Sequence, residues 1–294
     1  MKVGEPSRTA LATAFSRAYH QIAPEPRIFV DPLAVRITGA SPDELIDRCT
    51  AILDEAGMDP ILQRRRRMFL AARSRFAEET LATAVAEGVQ QVVILGAGLD
   101  TFAYRNPYDG LRLFEVDHPD TQAWKRERLA ATGIDIPDSL TFAPVDFESQ
   151  TLDEGLATAG FDRSQPVVFV WLGVVMYLTK DSTVAILRFM AGQSAPTRVV
   201  IDYLYPPTND PAQQARVDRV AAIGEPWLSF FTAEEFADQL RTLGFDEVED
   251  HAGAVLVARY LERPAPSTGG EAGPHVVRAV SLGSKRERND SPAS

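Results

Sequence analysis

Two glycines and two aspartates carry the chemistry this sequence offers: Gly96 and Gly98 in ILGAGLD, Asp117 closing LRLFEVD, and Asp146 in the PVDFE turn. Glycine lets the backbone turn tightly against whatever lies above it. An acid about 20 residues beyond such a turn, at the tip of the next strand, is the geometry that holds an adenosine ribose. Asp146 can accept from an adenine amino group, and Phe147 beside it can flank the ring. Each residue also has a plainer use. The glycines could make only a structural turn, Asp117 could cap the helix that follows, and Asp146 could bond its own backbone. Taken together, their spacing favours a nucleoside cofactor.

Such a site needs strands that end together. The run Val92–Leu95 is continuously apolar and reads as a parallel strand buried on both faces. Leu111–Val116, Leu140–Val145, Pro166–Gly173 and Arg198–Tyr203 repeat the pattern, with helical segments between them at His118–Thr132, Leu152–Ala159 and Thr179–Met190. This alternation predicts a doubly wound α/β sheet. Ahead of it, Pro60–Gly88 reads as one long helix or two, and residues 1–60 as a helical cap. Within the cap, Ser41, Pro42 and Glu44 form a helix-start signature. Thr232 and Glu235 form another, opening Ala233–Leu243. Phe245–Asp250 and Ala254–Tyr260 read as a closing antiparallel pair. The main domain is therefore expected over 61–261, with an insertion at 206–227 contributing to a lid. Residues 262–294, rich in Pro, Gly, Ser and charge, read as a disordered tail.

Composition removes several alternatives. A formal charge of −11 disfavours a nucleic-acid backbone or an anionic membrane as partner. The run Arg64–Arg67 spreads around a helix and reads as a solvated face with acid partners rather than a nucleic-acid contact. The single cysteine, Cys49, leaves no disulfide framework and no cysteine zinc cluster, and no metal is expected. With no apolar signal core and no spanning segment, the expected location is the cytoplasm.

The same alternation suits a dinucleotide or a cofactor without phosphates. A dinucleotide fingerprint wants a third glycine where Thr101 stands, and Asp100 would set a carboxylate beside the pyrophosphate. A cofactor carrying a sulfonium and an ammonium has no such conflict with Asp100. From Ala71 to about Tyr260 the chain resembles the leucine carboxyl methyltransferase family, and more narrowly its bacterial, largely actinobacterial branch of S-adenosylmethionine-dependent methyltransferases. The resemblance rests on AARSRFAEE, ILGAGLDTFAYR, FEVDHPDTQAWKRERL, PVDFE and WLGVVMYLT, and extends to PSRTALATAF and FVDPLA near the start. It implies a class I methyltransferase Rossmann-like fold: a seven-stranded, mostly parallel sheet with helices on both faces and a helical N-terminal cap. It also implies that Gly96 and Gly98 line the methionine part of S-adenosyl-L-methionine, and that Asp117 binds the ribose. Asp146 with Phe147 would hold the adenine, and Arg73 would pair with the cofactor carboxylate. One position departs. Many relatives carry a glutamate before the glycine of the fourth-strand turn, where this chain has Leu172, so either the cofactor is held less tightly or Trp171 and the backbone take over.

The expected activity is methyl transfer to a carboxylate or acidic hydroxyl of a hydrophobic small molecule. The catalytic residues are unassigned, with Tyr177, Tyr203 and Trp227 as substrate-side candidates or core aromatics. Glu115 could reach the cofactor or simply line its strand. Of the histidines, His20 and His118 are candidate bases, although His118 is better placed to cap the helix after it. Phe15, Tyr19, Phe29, Trp227, Phe230 and Phe231 are expected to give the lid its apolar lining. An NAD(P)-dependent oxidoreductase, or a catalytically silent binding protein of the same fold, are the alternatives.

Overall fold

The computed structural model describes residues 8–55, 59–146, 149–207, 211–222, 226–266 and 273–283. Three cap helices come first: α1 (Arg8–Ile22), α2 (Ala34–Thr38) and α3 (Pro42–Glu55). The start of α3 is the reciprocal cap read from the sequence. Ser41 N–H donates to Glu44, and Glu44 N–H returns to Ser41 Oγ. The segment after Asp59 is one helix, α4 (Pro60–Ala86), of 27 residues. The Asp59 carboxylate accepts from the N–H groups of Ile61 and Leu62, and Pro60 fills the first turn where no N–H is missed.

The sheet then alternates with helices: β1 (Gln91–Leu95), β2 (Arg112–Asp117), α5 (Pro119–Thr132), β3 (Leu140–Pro144), α6 (Leu152–Thr158), β4 (Val167–Trp171), α7 (Lys180–Ala191) and β5 (Thr197–Leu204). After β5 come α8 (Pro211–Ala222), α9 (Ala233–Thr242), β6 (Glu247–Ala252), α10 (Gly253–Tyr260) and β7 (Pro274–Ser281). The strand order is β3-β2-β1-β4-β5-β7-β6. The first five strands pair in parallel, and β7 runs antiparallel between β5 and β6. All five residues of β1 are buried, as expected for a strand covered on both faces. One face packs α6, α7 and α9 around Phe169, Trp171 and Tyr203. The other receives α4 and α10. The order reverses between β1 and β4, so a crevice opens beyond their carboxyl ends.

The carboxyl-terminal part corrects the sequence reading twice. Ala254–Tyr260 is helix, not strand. Short apolar runs do not distinguish the two, and here Gly253 and Leu256 face inward at helical spacing toward the α4 side. The true antiparallel partner lies inside the segment read as a disordered tail. In β7, Val276, Val277 and Ala279 are fully buried, and the strand is hydrogen-bonded along both edges. The Pro/Gly/Ser-rich residues around this short HVVRAVS run masked it, because composition averages over a window wider than one strand.

Candidate active site

A cavity of about 330 Å³ occupies the crevice at the carboxyl ends of the strands. Its walls include Gly96, Gly98, Asp117, Asp146, Arg73 and Tyr177, so six residues singled out from sequence meet around one space. Phe147 lies outside the described residues. Tyr203 and Trp227 do not line the cavity. Tyr203 is fully buried in the core instead, stacked on Phe236 at 4.4 Å between ring centroids, with its hydroxyl donating to Asp250 at 2.6 Å. Strand alternation explains this. Tyr203 shares a face of β5 with Val199 and Ile201, away from the cavity.

The turn after β1 needs its glycines. Gly96 and Gly98 adopt φ of +61° and +45°, the left-handed region. A Cβ on Gly96 would fall 2.2 Å from Val174 Cγ2, and one on Gly98 would fall 3.2 Å from Ala10 Cβ of α1. The turn is thus pressed between the loop after β4 and the cap. Asp117 fixes it from below. Its carboxylate accepts from Gly98 N–H at 2.6 Å and from His118 N–H at 2.7 Å. Burial pushes the Asp117 carboxyl up, and these two donors pull it back. The cap of α5 is His118, whose Nδ1 accepts from Asp120 N–H at 3.2 Å. Asp117 therefore has no capping duty. Glu115, on the same face of β2, does not reach the cavity. It pairs with Lys125 at 2.7 Å, both fully buried, and accepts from the Tyr104 hydroxyl at 3.2 Å.

Arginines enter from two sides. Arg73 of α4 donates to Asp202 of β5, and its guanidinium lies against Gly173, where a Cβ would fall 3.1 Å from Nη2. Gly173 itself has φ of +77°. Arg17 of α1 donates to Asp31, to Thr101 Oγ1 at 2.9 Å and to the Leu99 carbonyl at 3.3 Å. Arg105, bound to Glu78, approaches Asp31 from the other side. Arg17, Asp31 and Asp202 escaped the sequence reading. Asp202 had left a trace: one acid inside the apolar run RVVIDY, where an unpaired charge would be costly.

The ceiling of the cavity is α1, through Thr9, Ala10, Thr13, Ala14 and Arg17. The Tyr177 hydroxyl donates to Thr9 Oγ1 at 3.3 Å, joining the loop after β4 to the cap. The aromatic lid expected from sequence takes a different form. Phe15 packs inside the cap with Ala18, Ala34 and Leu45, and Phe231 is buried against Tyr203 and Phe236. None of the six aromatics named for the lid lines the cavity, and nor does any described residue of the insertion. Its apolar walls are aliphatic: Leu95, Val145, Val170, Leu172, Val174 and Leu178 among them. Trp171 does not replace the missing acid at position 172. It faces the opposite side of the sheet, fully buried.

The reversed parallel order with an antiparallel β7, and the glycine turn held by the acid at the tip of β2, define the class I methyltransferase fold. Within that class, residues 10–191 match the leucine carboxyl methyltransferase family, and the chain belongs to it. Similar proteins include "Putative S-adenosyl-L-methionine-dependent methyltransferase YktD" of Bacillus subtilis, 32% identical over 83% of this chain and 88% of that protein. A protein described in the same words from Mycolicibacterium gilvum is 30% identical over 88% and 87% of the two chains. Among solved structures, a DUF574 family protein from Streptomyces avermitilis superimposes with a TM-score of 0.57 at 13% identity, over 94% of this chain and 98% of that one. At that identity the likeness speaks for the fold. No helix among the described residues is long and apolar enough to cross a membrane.

Proposed function

We propose that this chain methylates a carboxylate or an acidic hydroxyl on a hydrophobic small molecule, using S-adenosyl-L-methionine. The observation that carries this reading is the convergence of Gly98, Asp117, Asp146 and Arg73 on one cavity at the switch point of the sheet. Its volume is on the scale of small-molecule sites, which run from about 300 to 1,000 Å³. The donor set suits the cofactor. Asp117 has lone pairs for a ribose diol beyond those used on the turn, Asp146 can accept from an adenine amino group, and Arg73 offers a guanidinium to a carboxylate. Asp100 in the wall disfavours a pyrophosphate and tolerates a cation.

When bound, the cofactor supplies an electrophilic methyl carbon on a sulfonium whose departure as a thioether needs no acid. The protein's part is alignment, which can lower a barrier by several kcal/mol. A carboxylate acceptor is ionised at neutral pH and needs no base. The walls agree with that economy. His118 has the one imidazole among the described lining residues, and its Nδ1 is engaged on the α5 cap. The aliphatic walls and the α1 ceiling suit an apolar body around the accepting group. The cap, 1–60, acts as the lid in this reading.

Calorimetric titration with S-adenosylmethionine and S-adenosylhomocysteine tests the cofactor. Micromolar binding is expected for the wild type, with at least a hundredfold loss in Asp117→Ala. Folded protein that binds neither compound defeats the reading. Transfer of labelled methyl to apolar carboxylic acids, then to phenols, tests the acceptor class.

A further inference from the structure

Asp202 is a carboxylate that the fold keeps at 1% exposure, following the apolar residues Val199, Val200 and Ile201 of β5. An ion so deeply buried must be paired and hydrogen-bonded to persist. Its two oxygens have separate partners. Oδ2 accepts from Arg73 Nη1 of α4, and Oδ1 accepts from the Gly173 N–H at 2.5 Å, in the turn after β4. One carboxylate therefore ties a helix, a turn and a strand together. Two of those three, Arg73 and Gly173, line the cavity, whereas Asp202 does not.

The Arg73 guanidinium is held from both sides. Asp202 takes one N–H, and the missing side chain of Gly173 lets the fork lie against that turn. Among the described residues Asp202 is the one side-chain acceptor on Arg73, through Nη1, and Arg73 forms part of the cavity wall. An arginine on a flexible stem recognises a carboxylate well only when its planar fork is fixed beforehand.

We propose that Asp202 is a positioning residue of this site. It fixes the Arg73 fork and the Gly173 turn so that the free donors of Arg73 face a carboxylate on the cofactor's amino-acid end. The inference rests on the cofactor reading above. Asp202 itself contacts no ligand and takes no part in methyl transfer.

The test compares two ligands that share a nucleoside thioether and differ in the amino-acid group: S-adenosylhomocysteine, which has it, and 5′-methylthioadenosine, which lacks it. Full-length wild type and Asp202→Asn are titrated with both. Asparagine keeps the shape and an acceptor for Gly173 N–H but removes the charge that holds Arg73. The expected result is at least a tenfold loss of affinity for S-adenosylhomocysteine, with affinity for 5′-methylthioadenosine held within twofold. Arg73→Lys should reproduce this selective loss. If Asp202→Asn does not fold, Asp202→Glu, which keeps the charge but displaces the fork by one methylene, serves with the same expectation. Unchanged or tighter S-adenosylhomocysteine binding overturns the assignment while leaving the cofactor reading intact, and so does an equal loss for both ligands. Wild type that binds neither ligand overturns both.

Discussion

Arg17 and Arg73 are both buried and both reach the cavity wall, from α1 and α4, yet their surroundings differ. Arg17 is surrounded by acceptors: Asp31, Thr101, the Leu99 carbonyl, and Asp100 at 3.5 Å. Its Nε is buried without a partner, so that edge faces protein and not a ligand. Arg73 has one acid, Asp202, and a glycine beside its fork. The first arginine fastens the cap to the glycine turn, and the second is proposed to present its fork to a ligand. The contrast shows that charge at a site is not itself evidence of a ligand contact. What distinguishes the two roles is how many donors remain unspent.

The largest effect expected from this contrast is on stability. Asp31 is fully buried and is shared by Arg17, Arg105 and Thr101. Asp31→Ala leaves the buried Arg17 with only Asp100 at 3.5 Å while Arg105 keeps Glu78, and breaking a buried pair costs about 3–5 kcal/mol. Calorimetry should show Tm falling by about 2–4 °C for each kcal/mol lost. Arg73→Lys keeps a cation beside Asp202 and should lower Tm by less than half as much, while sharply weakening S-adenosylhomocysteine binding. Equal losses of Tm in the two variants would break the distinction drawn between the arginines.

What could be read in advance follows the same division. The strands, the glycine turn and the acids at the strand ends are local patterns, and Gly96, Gly98, Asp117 and Asp146 do line one cavity. Strand alternation could have placed Tyr203 in the core, because it shares parity with Val199 and Ile201 in a strand buried on both faces. The Arg17–Asp31 and Arg73–Asp202 pairs were not legible. Their partners come from different elements, and in the second pair they lie 129 positions apart in the sequence. The acid in RVVIDY marked where a partner was needed, but not which arginine would supply it. The tail failed for a different reason: β7 is stabilised by neighbours on both edges, β5 and β6, and not by its own composition.

A smaller effect sharpens the comparison on the cap side through pH. His20 of α1 is buried, accepting from Ile28 N–H at Nε2 and lying 3.1 Å from Arg67 Nη1 through Nδ1. Burial first, and the Arg67 charge second, lower its pKa to about 4. The unfolded chain takes up this proton near pH 6.5 and the folded chain only near pH 4, so between those values the unfolded state binds more protons. Stability should therefore fall as pH drops through that window, by up to about 3 kcal/mol for this residue at roughly 1.4 kcal/mol per pKa unit. Above pH 6.5 the contribution is flat. Tm measured from pH 7.5 to 4.5 should slope less steeply in His20→Gln than in the wild type. Parallel slopes would mean that acid loosens the protein elsewhere.

The smallest effects are expected on the arginine run at the start of α4, where one tetrad divides between the two kinds of use. Arg64 and Arg65 are exposed, whereas Arg67 is buried over the Tyr19 ring and against His20. Arg66 stands between them and donates to Ser16. Alanine at 64 or 65 removes no such contact and should change stability by no more than about 0.5 kcal/mol, as at other exposed sites. Alanine at 67 removes packing from the α1–α4 seam, so its loss should exceed theirs in denaturant titration. It also removes the guanidinium that depresses His20, which should bring the histidine's pKa back toward 6.5 and flatten the acid slope. Four equal effects along the run would mean that α4 does not seat its arginines by facing. The proposed separation of structural from ligand-facing charge, applied to Arg17 and Arg73, would then lose its geometric basis.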